Sequence, residues 1–420
     1  MNHISRQKRL LIHKKRLLLA RTTTTERYLL GATVLILPLQ NYLPTLGGLS
    51  VGFIIFGMLA GYLVLYRPGI LGKTLVHPVF LAGYVFVGIG VFMELVHNST
   101  GFSELIRILL MMLGGVFVAS LCRDRQAMLA FMYGLLVASV GLAAYLFLTT
   151  YGALSSVKAD NFDAASNIRA EVFSENDIAL DLNTMAFFVA QGVVVAMTLA
   201  LTTKKLSRRS IFVAITGFCL IATFLPMSRG GLAIMILSCA SVIYYYGILR
   251  PKVFFTILLL VLGILVWVPD AIFSRFTFST QANTSSHHVE ARARVWMAAV
   301  EHFPEYYLTG LGMSDFYGNW GMNTGFRKGP RVLGTHNCFA QVTIYWGLAG
   351  LFGLLLLVQQ AYRCLPKFYG QDPLRLCVLG LTVSVALNMF VVHTLYAKEF
   401  SIALGMLVGG SNWIWPNRPA

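Results

Sequence analysis

Ala127 to Thr150 reads AMLAFMYGLLVASVGLAAYLFLTT, 24 residues without one charged side chain. A helix of that length matches the hydrocarbon core of a bilayer, which takes about 20 apolar residues. Being apolar on every face, it has no side to offer water. Directly before it stands Cys122-Arg123-Asp124-Arg125, a charged corner that holds one end of the run at a headgroup surface. The rest of the chain repeats this design. Further apolar runs lie near 28–44, 48–66, 77–97, 103–121, 179–201, 210–227, 231–249, 252–269, 336–359, 374–393 and 397–415. Of 420 residues, 57% are hydrophobic and 12% charged, with mean hydropathy +0.69. So much apolar surface is hidden by lipid rather than by a water-soluble core.

The expected fold is therefore all-α and polytopic, with about twelve transmembrane helices. Orientation follows from the basic residues. With the amino terminus in the cytoplasm, the inner connections carry Arg67/Lys73, Arg123/Arg125, Lys204/Lys205/Arg208/Arg209, Arg250/Lys252 and Arg363/Lys367/Arg375. This side holds 22 of the 33 Lys and Arg but only three of the 17 acids, Glu26, Asp124 and Asp372; the other side holds the remaining 11 and 14. The net charge of +16 is thus an orientation signal whose partners are membrane lipids, not nucleic acid.

The expected organisation is a basic cytoplasmic N-terminus over 1–27, read as part of an uncleaved anchor. Transmembrane helices 1–9 follow within 28–269, then a large periplasmic loop with short helices over 270–335. Helices 10–12 occupy 336–415, and 416–420 form a cytoplasmic tail. Within the loop, Val289, Trp296, Val300 and Phe303 recur at helical spacing, which predicts a helix lying near the membrane surface. A second polar outer segment runs from Tyr151 to Ile178. None of the six cysteines lies in the long loop and no CxxC pair exists, so neither a disulfide framework nor a zinc site is expected.

Ionisable residues at the outer rim are the candidates for chemistry, because charge beside lipid is costly to keep. Met227-Ser228-Arg229-Gly230-Gly231 joins two spans nearly free of charge. Its glycines permit a tight turn and Arg229 offers a fork suited to phosphate, although the same arginine would also serve as an interfacial turn residue. Arg292-Ala293-Arg294-Val295-Trp296 puts Arg292 and Trp296 on one helix face, as an amphipathic helix touching lipid phosphates also would. Gly334-Thr335-His336-Asn337 leads into the tenth span, with an imidazole able to accept a proton near neutral pH and Asn337 beside it. Arg107 and Arg169 are further outer cations, with Arg327, Lys328 and Arg331 ranked below them. No phosphate-binding P-loop, nucleophile elbow or H-E-x-x-H run occurs. The first outer loop, Asn41 to Gly47, lacks an acidic residue, so metal-free chemistry is expected; no cofactor is expected either.

Four features then occur in a fixed order: S-R-G-G at Ser228 to Gly231, R-x-x-x-W at Arg292 to Trp296, G-x-G within Leu308-Thr309-Gly310-Leu311-Gly312, and His336-Asn337 opening a span that reaches Gly347 and Gly350. In order, spacing and sidedness this resembles the O-antigen ligase and polymerase superfamily, clearly from Arg229 to Gly350 and by topology elsewhere. The resemblance implies transfer of a finished glycan from undecaprenyl pyrophosphate to a lipid A–core hydroxyl, at the periplasmic face of a bacterial inner membrane. It implies that Arg229 and Arg292 hold the donor pyrophosphate and that His336 activates the acceptor hydroxyl. Arg169 is a third candidate for the donor, and Arg294, Asn337 and Arg107 are supporting residues. Direct attack would invert the anomeric centre.

An O-antigen polymerase and a protein O-oligosaccharyltransferase share this scaffold. Some polymerases carry Arg-x10-Gly patterns, but Leu180, Phe303 and Glu305 stand eleven residues after Arg169, Arg292 and Arg294. Protein-glycosylating members are typically longer at the carboxy terminus, whereas this chain stops soon after its last expected span. Both departures favour the ligase. A transporter of lipid-linked glycan is the reading from another class; it would place ionisable groups near the bilayer midplane. Here Glu94, Arg107, Asp181, His393 and Glu399 all fall toward outer helix ends.

Overall fold

The computed structural model describes residues 21–39, 45–46, 49–152, 154, 171–172, 182–247, 255, 295–324, 326–328, 331–332, 334–366, 372–391 and 398–415. The larger helices are α1 (Thr24–Leu39), α2 (Val51–Tyr66), α3 (Pro68–Leu75), α4 (Pro78–Val96), α5 (Phe102–Leu121) and α6 (Arg125–Leu146). They continue as α7 (Leu182–Thr202), α8 (Leu206–Phe224), α9 (Arg229–Tyr246), α10 (Cys338–Arg363), α11 (Pro373–Val391) and α12 (Lys398–Trp413). Apart from short loop helices, the described residues add only two antiparallel ladders, two residues per strand. The chain is an all-α, multi-pass membrane protein. Eight described helices are long and apolar enough to cross a bilayer, nine if the pair Ile54–Tyr66 and Pro68–Leu75 counts as one span bent by 109°. That bend departs from the simple connection expected after Tyr66: Pro68 opens a separate helix, and proline suits a first turn because its missing N–H is not needed there. The run 252–269, expected as the ninth span, lies outside the described residues.

The quoted stretch forms α6 and ends in a π turn, Phe147–Tyr151. Asp124 caps its start by accepting the Ala127 N–H at 2.7 Å. Beside it stands α7, buried along almost its whole length and packed among α6, α8, α9 and α11. Small residues let such helices approach, since membrane helices gain by close van der Waals fit. At the α5–α12 crossing a Cβ on Gly405 would come within 2.6 Å of the Gly115 carbonyl oxygen.

Ion pairs gather at one end of the bundle. Glu26, fully buried, meets Arg67 at 2.7 Å and Arg123 at 2.6 Å. Asp124 accepts the Thr22 N–H at 2.8 Å and faces Arg27 at 3.4 Å. Asp372, ahead of α11, pairs with Arg125 at 3.1 Å and lies 3.8 Å from Arg375. The three acids of the expected cytoplasmic side thus each face arginines. These contacts place the starts of α1, α6 and α11 and the ends of α2 and α5 at this end of the bundle. Desolvation alone would push the Asp124 carboxyl up, but hydrogen bonds from Thr22 and Ala127, with Arg27 nearby, hold it below the usual range.

At the opposite end α10 is broken. Trp346 and Gly347 leave helical geometry, Gly347 at φ +62, so a short half at 338–345 precedes a longer half. The loop ahead of α10 fills the break. The Leu311 and Gly312 N–H groups donate to the Ile344 and Tyr345 carbonyls, both at 2.9 Å, and the Leu348 N–H donates to the Tyr307 carbonyl at 2.7 Å. Backbone groups freed by a break are tolerated inside a membrane protein when something else pairs with them. Gly310 (φ +77) and Gly312 (φ +73), the G-x-G of the sequence, let this strap lie against the helix.

Candidate functional site

Arg229 is the first residue of α9. Ser228 is the N-cap: its hydroxyl accepts the Gly231 N–H at 3.2 Å and donates to Asn183 Oδ1 at 2.8 Å, at the head of α7. The guanidinium therefore emanates from a helix start, where the helix dipole already favours an anion. His336 stands immediately before α10. Asn337 is the N-cap, its Oδ1 accepting the Phe339 and Ala340 N–H groups at 2.9 and 3.1 Å. Asn337, expected as a supporting residue, thus anchors the turn through its side-chain oxygen. Thr335, on the other flank, donates from its N–H and its hydroxyl to Gln341 Oε1, both at 2.9 Å.

Arg229 and His336 occupy the same end of the bundle, brought there by the end of α11. A Cβ on Gly230 would overlap Val391, and the neighbouring Phe390 ring lies 5.0 Å from that of Phe339 on α10. Their local backbones also match. Only three non-glycine residues among those described have positive φ: Asn98 (53), Met227 (52) and His336 (53). Met227 precedes the Ser228 cap and His336 is followed by the Asn337 cap, so a left-handed residue starts both helices. Side chains adopt that conformation rarely and at a cost, and such positions cluster at functional sites.

Beside Thr335 an apolar cavity of about 310 Å³ opens between a loop helix at 295–301 and the first turns of α10. Trp296, Val300, Phe303 and Tyr306 line one wall, and Thr335, Ala340 and Thr343 the other. Trp296, Met297 and Val300 also expose apolar surface outward, as suits a helix at a membrane surface. Val295 and Ala298 are buried behind them. Farther along, Glu305 Oε2 accepts the Trp320 indole N–H at 2.7 Å and Oε1 faces His302 Nδ1 at 2.6 Å. These hydrogen bonds hold the Glu305 carboxyl below the usual range. Burial raises the Tyr306 phenol to about 12, and its hydroxyl donates to the Ala299 carbonyl.

Of the other candidates, Arg107 is exposed and pairs with Glu104 on its own helix at 2.9 Å. Arg169, Arg292 and Arg294 lie outside the described residues. Motif reading missed Glu94, placed only as a charge at an outer helix end. It is fully buried and accepts the Met313 N–H at 3.0 Å and the Trp346 indole N–H at 2.8 Å. The available signal was a lone carboxylate inside the apolar run 77–97.

No curated protein matches the chain. Residues 211–355 match the profile of a protein family described as O-Antigen ligase. The match encloses Arg229, the strap, His336 and the break in α10. A match to that family supports glycosyl transfer in the broad sense, with lipid-linked glycan and lipid acceptor substrates in general. With a multi-pass bundle around it and the ordered motifs inside it, this stretch of the chain is similar to the O-antigen ligase family.

Proposed function

We propose that this protein is an O-antigen ligase, moving a glycan from undecaprenyl pyrophosphate to a hydroxyl of lipid A–core at the periplasmic face of the bacterial inner membrane. The observation that carries the reading is that the helix starts bearing Arg229 and His336 both meet the end of α11, at the end of the bundle opposite the arginine-rich one. The positive-inside rule assigns the arginine-rich end to the cytoplasm.

In the proposed reaction the His336 imidazole takes the proton of the acceptor hydroxyl. The oxygen attacks the anomeric carbon, the bond from that carbon to the pyrophosphate oxygen breaks, and undecaprenyl pyrophosphate leaves with the electron pair. Attack opposite the leaving group inverts the anomeric centre. The charge gathering on pyrophosphate needs compensation, for which Arg229 at the α9 start is suited; Arg292 and Arg169 are proposed to join it. Each charge-assisted hydrogen bond contributes roughly 1.5–3 kcal/mol, and general base catalysis about 10²–10⁴-fold. A pyrophosphate is already a competent leaving group, so the reaction is proposed to proceed without metal or cofactor. The apolar cavity lined by Trp296, Thr335 and Thr343 suits a hydrocarbon chain of a lipid-linked substrate.

The test is purified protein in liposomes with lipid-linked glycan and lipid A–core. A joined product is expected with the wild type and not with His336→Ala, and Arg229→Lys should retain more transfer than Arg229→Ala. Extension of glycan on the polyprenyl carrier, with no joined product, would make the protein a polymerase; strong inhibition by EDTA would overturn the metal-free step.

A further inference from the structure

Glu94 takes no part in the chemistry just proposed, yet it is the charged group at the break in α10. Its carboxylate is fully buried near the end of α4, where an isolated charge is costly. Oε1 binds two donors from different segments, the Met313 N–H of the loop and the Trp346 indole at the break. Oε2 is enclosed with no hydrogen-bond partner among the described residues, and a Cβ on Gly101 would come within 2.6 Å of it. The α4–α5 corner grips the same loop. His97 Nε2 lies 3.0 Å from the Thr309 carbonyl oxygen, the Ser314 N–H donates to Ser99 Oγ at 3.1 Å, and the Thr100 N–H donates to Ser314 Oγ at 2.7 Å.

We propose that Glu94 is a positioning residue, whose carboxylate latches the 308–314 strap into the break of α10 and so fixes the turn carrying His336. A continuous helix would hold 338–345 in line through its own hydrogen bonds. At the break those bonds are replaced by the strap, so the direction of the short half depends on what secures the strap. His336 rides on that half, because Asn337 caps it and Thr335 is tied to Gln341. Losing the latch frees the short half to tilt and shifts the imidazole. The catalytic consequence rests on the reading of His336 as proton acceptor; the mechanical one does not.

The experiment uses full-length protein in nanodiscs, comparing wild type with Glu94→Ala, Glu94→Gln and Trp346→Phe. Backbone hydrogen exchange is followed in peptides covering 308–314 and 334–345, with 125–135 as a reference at the far end, alongside transfer kinetics. Glu94→Ala is expected to speed exchange in the first two peptides roughly ten-fold or more and to leave the reference unchanged. It should lower kcat with little effect on KM. Glu94→Gln keeps an acceptor oxygen and should restore most of both; Trp346→Phe removes one donor and should fall between, and it carries the test if Glu94→Ala does not insert. Wild-type exchange at 334–345 in the variants, equal acceleration in the reference peptide, or loosened exchange with unchanged kcat would each overturn the proposal. If wild-type protein transfers no glycan, the proposed function fails. Exchange then decides the latch alone: loosening confined to the two peptides supports it, and wild-type exchange at 334–345 removes it.

Discussion

Replacing Gly310 by alanine tests whether the strap is held by close backbone approach. Gly310 sits at φ +77, and a Cβ there would overlap the carbonyl of Tyr345. A side chain in the left-handed region costs about 1–2 kcal/mol. Relieving the overlap means lifting the strap and giving up the Leu311–Ile344 and Gly312–Tyr345 hydrogen bonds, each worth about 1 kcal/mol net. Together these lower the free energy of strap opening by roughly 3–4 kcal/mol, or about 10²–10³ in the open population. Chymotrypsin reads that population directly when opening is fast relative to cleavage. Tyr306, Tyr307, Leu308, Phe316 and Tyr317 supply sites in and beside the strap. Gly310→Ala is expected to be cut here some hundred-fold faster than wild type. Gly88→Ala is the control, since a Cβ at that position on α4 meets nothing within 4 Å. Cleavage of Gly310→Ala at the control rate would refute the account of the broken helix.

At the arginine-rich end, Glu26→Ala leaves Arg123 buried without its carboxylate. A cost of about 3–5 kcal/mol is expected, measured as a lowered thermal midpoint in detergent, with part recovered on adding Arg123→Met; an unchanged midpoint would mean the pair is idle. Around Glu305 the depressed carboxyl fixes the sign of the pH effect. Its hydrogen bonds to Trp320 and His302 contribute in full above the ordinary glutamate value and are lost as pH falls through the lowered one. Acidification below the usual range should therefore alter indole emission in wild type, and a Glu305→Gln variant should lack that transition.

Much of the fold was legible because bilayer thickness turns apolar length into structure. Arg123 and Arg125 marked a helix boundary without any alignment, and the described helices fall within a few residues of the expected spans they cover. Residues 211–355 matched the stretch where the motifs stand in order. Composition did not reveal where a helix would break. Tyr345-Trp346-Gly347 reads as ordinary apolar span, and its bend depends on a strap more than thirty residues earlier in the chain. The left-handed turn at His336 was equally hidden, since nothing in an isolated histidine announces a positive φ. Asn337, named as a supporting residue, also caps the helix start through its side-chain oxygen, a role its place in the sequence did not single out.

The buried Glu26–Arg123 pair and the broken α10 lie at opposite ends of one bundle. Such a molecule works like a clothes-peg: pinched tight by charge at one end, jointed at the other. Under the proposed function, a bulky amphiphile would meet the jointed end, while the pinched end would hold the helices in register.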